Sequence, residues 1–269
     1  MKLLRQFQAE LRKLRHPLVA GAVLVAAVAI SSLQVVHEAT PYPGPSIRDL
    51  AGCLRIAALQ HATGVGFGLG GVLAAVGTAE DISNGTILDL VLREPRRFRL
   101  VLIKCGTAFG VLLGSVLISV GALWASSVLV RRAGHPLPAR GSSSWPAAAT
   151  DAGCSLLVIL FIALLSVTLG LLTRSAIATI VLSIAIYFLP LTILDSSILW
   201  VTPTRWVVEW LQLDPFGEGV DYLGDNSAYD YRGAPAAAGG LLLLAACVVL
   251  CWFSARLMNR AAGRPPNQV

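Results

Sequence analysis

The sequence predicts an all-α integral membrane protein with six transmembrane helices, and three observations carry that prediction. Hydrophobic residues form 55% of the 269 positions and charged residues 13%, with a mean hydropathy of +0.71. A soluble domain carries about 25% charged residues, so a soluble enzyme, a nucleic-acid-binding domain and a disordered chain all fit poorly. Six stretches, near 17–36, 56–79, 101–130, 152–172, 176–199 and 236–255, hold about the 20 apolar residues that a spanning helix needs. Lys and Arg, finally, gather on one side of those stretches. The runs are too long and too uniformly apolar for strands, and helices or closed barrels are what lipid tolerates. The whole chain, 1–269, reads as one transmembrane domain.

Orientation follows from the basic residues. An even number of spans puts both termini on one side. That side collects 14 of the 21 Lys and Arg, among them Lys2, Arg5, Arg12, Lys13, Arg15, Arg93, Arg97 and Lys104. The positive-inside rule makes it cytoplasmic, which places the chain in the cell membrane with both ends inside. Arg48, Arg55, Arg131, Arg132, Arg140, Arg205 and Arg232 fall on the opposite side, with an acidic run from Glu209 to Asp230. The net charge of +6 therefore reflects topology and contact with anionic headgroups, with no nucleic-acid partner. The first apolar run exceeds the usual signal-peptide core of about 7–15 residues, so it is expected to stay as a span.

The elements outside the lipid come next. Leu3, Leu4, Phe7, Leu11, Leu14 and Leu18 recur at helical spacing among basic residues. The first 16 residues are therefore an amphipathic helix lying in the headgroup plane, and Pro17 turns the chain into span one. Between spans two and three, Ser83 or Asn84 can cap a new helix. Ile87, Leu88, Val91 and Leu92 form its apolar face, Asp89 and Arg93 pair four apart, and Pro95 ends it. Such a helix suits docking into a groove on another protein or, equally, a connector lying on the membrane surface. Thr173-Arg174-Ser175 leaves only a tight hairpin between spans four and five. In 200–235, Pro203 and Pro215 bracket a helix with Trp206, Val207, Trp210 and Leu211 on one face. It is an extracellular re-entrant or interfacial helix, serving as an anchor or as a lid.

With those residues in place, the chain resembles the membrane subunits of type-2 ATP-binding-cassette exporters. The likeness covers the six spans, the basic N-terminal elbow helix, the loop after span two and the added structure before span six. The family's loop motif resembles Asp81 (or Glu80), Gly85, Thr86, Ile87, Leu90, Arg97 and Lys104 here. Pro95 stands about one residue later than the usual turn proline, which unsettles the alignment of Glu94 and Arg96. The importer-type loop fits less well, because Glu80 and Gly85 are five apart and its alanines are missing.

The resemblance implies a dimer of two such subunits, identical or different, with a separate ATPase docked under each. A coupling helix over 84–94 would sit in a cleft of the ATPase. The coupling set is then Glu80, Asp81, Gly85, Thr86, Ile87, Leu88, Leu90, Val91, Arg93, Arg97 and Lys104, with the charges of Glu80, Asp81, Arg93, Arg97 and Arg99 setting orientation. No G-x-x-x-x-G-K-[ST] occurs, so ATP and Mg²⁺ would belong to the partner. The chain itself is expected to be no enzyme and to hold no cofactor.

Within the spans, His61, Phe67, Tyr187, Phe188 and Pro190 are candidates to line a substrate path. An intramembrane ionisable group is a functional candidate by default, although a satisfied interhelical hydrogen bond accounts for His61 more simply than a substrate or proton role. Pro190 frees a backbone carbonyl and kinks span five. Gly66, Gly68 and Gly71 spell G-x-G-x-x-G without the strand a dinucleotide site needs, which points to close helix packing. The five cysteines lack metal or disulfide spacing, and no metal ligand set or catalytic triad is visible. The alternative to an ATP-driven exporter is an ATP-independent channel or secondary carrier. A membrane enzyme or sensor would need a catalytic cluster or a large extramembrane domain.

Overall fold

A computed structural model describes residues 2–13, 16–38, 47, 49–87, 90, 97–133, 144–193, 202–211 and 236–262. Among them all regular structure is helical. The helices are α1 (Lys2–Lys13), α2 (Pro17–Glu38), α3 (Leu50–Ala62), α4 (Gly64–Ala74), a π-turn over Ala75–Ala79, α5 (Glu80–Ser83), α6 (Arg97–Arg132), α7 (Trp145–Thr173), α8 (Ala176–Ile193), α9 (Pro203–Leu211) and α10 (Ala236–Ala262). Each of the six apolar stretches contains helix, but the second is interrupted at Thr63, 194–199 of the fifth lie outside the described residues, and the apolar helix described there, Ala176–Leu189, is shorter than a span. Four segments are long and apolar enough to cross a membrane: Gly64–Ser83, Phe98–Arg132, Trp145–Thr173 and Ala238–Met258. A fifth is gained if α1 and α2, bent by 71° from each other, count as one span. These are the helices of a membrane-embedded protein. With 36 residues, α6 is about 54 Å long, well beyond a hydrocarbon core of about 30 Å.

Span two departs from expectation. The sequence reads as one continuous helix over 56–79, yet the chain breaks at Thr63, whose ψ of −145° is extended. The break needs no proline. Thr63 donates its hydroxyl back to the carbonyls of Leu59 and Gln60, at 3.1 Å each, and its N–H to Gln60 at 3.4 Å. These bonds satisfy the end of α3 locally and leave α4 without a side-chain cap.

Local sequence explains the other boundaries. Asp49 caps α3 by accepting the Gly52 N–H at 2.6 Å, and Ser144 caps α7 at Ala147. The tight hairpin at 173–175 is present: α7 ends on Arg174 in the left-handed conformation, φ 54°. Packing places α4 among α2, α7 and α8, while α3 lies against α6 and α7 and α10 lies against α7 and α9. Lipid offers no hydrophobic drive between helices, so close approach must come from small residues. A methyl added at Gly70 would meet the Ser166 hydroxyl at 2.5 Å, at Gly71 the Ser183 Cβ at 2.9 Å, and at Gly170 Thr78 at 3.0 Å. Gly66 and Gly71 of the G-x-G-x-x-G pattern thus serve helix packing.

Large apolar side chains on α2, α6, α8 and α10 remain exposed, among them Val25, Leu117, Ile177 and Val248, as lipid-facing residues should.

Candidate functional site

The loop between spans two and three is built around a buried charge cluster. Lys104, about two turns into α6 and 4% exposed, donates to Asp81 Oδ2 at 2.6 Å, to the Gly77 carbonyl, and to Glu10 Oε2 at 3.4 Å. Lys13 Nζ lies 2.9 Å from both Asp81 oxygens and 3.2 Å from Glu10 Oε1. Thr86 adds its hydroxyl, 3.0 Å from Asp81 Oδ1. Two ammonium groups and two carboxylates thus neutralise one another where α1, α5 and α6 meet. A buried charge survives only when paired and hydrogen-bonded. Burial pulls the Lys13 pKa down, but the hydrogen bond to Asp81 and the charges of Glu10 and Asp81 outweigh it and hold the amine above its ordinary 10.5.

The π-turn serves this junction. Its five residues make wider i→i+5 bonds, the last from the Glu80 N–H to the Ala75 carbonyl, and its Gly77 carbonyl faces Lys104. Beyond α5 the chain reverses at Asn84 and Gly85, where Gly85 takes φ 72°. Only glycine adopts that region without cost. Ser83 and Asn84 do not cap the following helix: Ser83 donates to Glu80 at 3.1 Å, and Asn84 closes α5. Thr86, Ile87 and Leu90 are helical.

The described coupling candidates lie in different surroundings. Asp81 and Lys104 point into the buried cluster. Ile87 is buried and Leu90 packs partly buried against the core, which turns that face of the short helix toward the protein's own core. Glu80 is half-buried, and Gly85 and Thr86 are exposed. Leu88, Val91 and Arg93 lie outside the described residues, as does the side chain of Arg97. Sequence reasoning missed Glu10 and assigned Lys13 only to the membrane surface. The available signal was an acidic residue one turn before Lys13 on an otherwise basic helix.

The opposite end of the bundle carries a second buried ion pair. Arg55 Nε donates to Asp151 Oδ2, joining α3 to α7, with both residues buried. Counting Arg55 among the outer basic residues set it in a loop; it lies inside α3.

The path candidates partly converge. Phe67 stacks on Tyr187 with centroids 4.8 Å apart, and Tyr187 meets Phe188 edge-on at 5.2 Å. Phe161 joins at 6.5 Å and was not singled out. Phe67 and Tyr187 are buried, whereas Phe188 is exposed. His61 is fully buried. Its Nδ1 must donate to the Ala57 carbonyl at 2.9 Å, since a carbonyl only accepts; its Nε2 has no partner among the described residues.

Pro190 falls within α8, and having no N–H it leaves the Ile186 carbonyl free. Thr204 of α9 donates its hydroxyl to that carbonyl at 3.0 Å and to Tyr187's at 3.2 Å. Trp210 donates to the Cys154 carbonyl at 2.8 Å. The Pro203–Leu211 helix is therefore docked on α7 and α8. An apolar crevice lined by Val19, Val23, Leu69, Leu73, Leu112 and Ser115 lies between α2, α4 and α6. Among the described residues no group of three or more His, Cys, Asp or Glu could hold a metal ion.

A family model described as "Protein of unknown function (DUF2705)" matches residues 22–206. The chain belongs to the DUF2705 family. No curated protein and no solved structure matches it. The DUF2705 match takes in Arg55, His61, Asp81, Lys104 and Asp151, and begins after the α1 residues Glu10 and Lys13.

Proposed function

We propose that this DUF2705 protein is the membrane-spanning subunit of an ATP-driven exporter, powered by a separate ATPase docked on the loop 80–104. The observation that carries the reading is the junction of α1, α5 and α6. A short helical segment follows Gly85 at the same end of the molecule as the amphipathic α1, and Asp81, Lys104, Glu10 and Lys13 lock the two together. A docked partner pushing on that segment would move α5 and α6 as one unit, because packed interfaces switch between discrete states and resist gradual deformation. In this reading six helices span the bilayer, α1 is the elbow, the segment beginning at Thr86 is the coupling helix, both termini are cytoplasmic, and two permease subunits enclose the path. Asp81 and Lys104 transmit the push, while Leu88 and Val91 supply the apolar contact.

Co-purification of the chain with the ATPase from its own cells tests this. Leu88→Asp with Val91→Asp should abolish capture of the ATPase and its stimulation while the permease still folds. Unchanged capture and stimulation would reject the coupling assignment.

A second reading, an ATP-independent carrier, draws on the break at Thr63, since broken helices often form the binding sites of secondary transporters. Gradient-driven uptake by the purified chain alone in liposomes would favour it over the first.

A further inference from the structure

Span two is held at both ends and broken between them. Arg55–Asp151 pins α3 to α7, and Asp81–Lys104 pins α5 to α6. Between those points lies Thr63, eight residues from Arg55 and 18 from Asp81. The bent conformation depends on one atom being absent. A methyl on Gly66 would sit 1.8 Å from the His61 carbonyl oxygen, a backbone atom that cannot yield. In an unbroken helix the carbonyl of residue 61 bonds the N–H of residue 65, and a side chain at 66 stands clear of it. Gly66 is therefore required by the bend and indifferent to the straight form. Gly64 behaves similarly but more softly, since its added methyl would meet the far end of the Phe188 ring at 2.5 Å.

The bent form is also incompletely satisfied. Thr63 quiets the end of α3, but α4 has no side-chain cap and the buried His61 Nε2 has no partner among the described residues. No proline obstructs 50–83, so the chain has no covalent reason to bend there. Small-residue contacts (Gly70 on Ser166 and Gly71 on Ser183 along α4, Gly170 on Thr78 of the π-turn) present smooth faces along this part of span two, of the kind along which packed helices slide.

We propose that span two is a two-state element that bends at Thr63 and straightens, with Gly66 permitting the bent form and the two ion pairs confining the movement to the segment between them. The switch belongs to the chain itself and does not rest on a partner ATPase, so its failure and the failure of the exporter reading are separate outcomes.

The test is a distance across the span. In the full-length chain with its five cysteines changed to serine, spin labels are placed through Leu50→Cys and Asn84→Cys and read by double electron–electron resonance in nanodiscs. A straight helix over that interval is about 50 Å long, and the unmodified span should read shorter. Gly66→Ala should shift the distribution toward about 50 Å. Gly68→Ala, where an added methyl meets nothing within 4 Å, should leave it unchanged. If Gly66→Ala does not fold, Thr63→Val, which keeps the shape and loses the hydroxyl bonds, should raise the long-distance population. An unshifted distribution in folded Gly66→Ala overturns the proposal, as does an unshifted Thr63→Val where Gly66→Ala fails to fold. Equal shifts in Gly66→Ala and Gly68→Ala overturn it too, since they would reflect helix propensity alone.

Discussion

The two ends of the molecule bury charge in different ways. Near the starts of α3 and α7, Arg55 and Asp151 join two helices, with 7% and 3% of each residue exposed. At the other end Glu10, Lys13, Asp81 and Lys104 share four charges across three helices, and Lys13 keeps 36% of its side chain exposed. In the cluster each carboxylate faces two amines and each amine two carboxylates, so loss of one member leaves partial compensation. The Arg55–Asp151 contact is a deeply buried bond between two helices, and the four-charge cluster is a shared, partly solvated joint between three.

The sharpest way to break this contrast is at Arg55–Asp151. Asp151→Leu alone should destabilise the protein by about 3–5 kcal/mol, the usual cost of removing one partner from a buried ion pair. Arg55→Met with Asp151→Leu should recover most of that loss, because an apolar pair of similar volume needs no desolvated charge. Thermal unfolding in detergent reads both. If the single variant proves as stable as the parent, the Arg55–Asp151 contact does not hold α3 to α7.

In the four-charge cluster Lys104→Met should cost less, about 2–3 kcal/mol, because Lys13 still neutralises part of Asp81 and Glu10. It also strands the Gly77 carbonyl of the π-turn, so amide exchange over 75–81 should accelerate more than exchange in α3. Equal acceleration in both would show one cooperative unit in place of two separate ends.

The same contrast explains what the sequence discloses. Apolar length is a property of one helix at a time, and the positions of α2, α6, α7, α8 and α10 follow from it. So do the hairpin at Arg174 and the proline-bracketed α9. The glycines of α4 are legible as packing residues because small side chains in an apolar run have few other uses. The break at Thr63 is not legible. No proline marks it, and it is held by contacts from elsewhere: Phe188 over Gly64 and Ile162 beside Gly66.

Nor do charges at the ends of apolar runs announce their direction. Arg55, Asp151 and Lys104 all read as boundary residues facing water, yet each has a partner from a distant part of the chain. What was available was arithmetic of another sort. Arg55 and Asp151 sit at the same predicted side of spans two and four, and Glu10 and Lys104 at the same side of span three. Opposite charges at matching depths are candidates for pairing.

The smallest effect belongs to the exposed corner of the four-charge cluster, and pH gives it a distinctive form. Lys13→Gln should cost about 1 kcal/mol or less, the usual worth of a partly solvated pair. The sign of its pH dependence is fixed by the raised pKa. Folding holds the Lys13 proton more tightly than the unfolded chain does, so the stabilisation is fully present below the ordinary value of 10.5. It fades as pH rises through the higher folded-state value. The stability difference between parent and Lys13→Gln should therefore stay constant from pH 6 to about 9 and close only above about 10.5. Added salt should narrow it at every pH, since Lys13 is the most solvent-exposed of the four. A difference that changes between pH 6 and 9 would mean that a carboxylate or histidine, and not the lysine, sets the titration. The cluster would then lack its shared compensation.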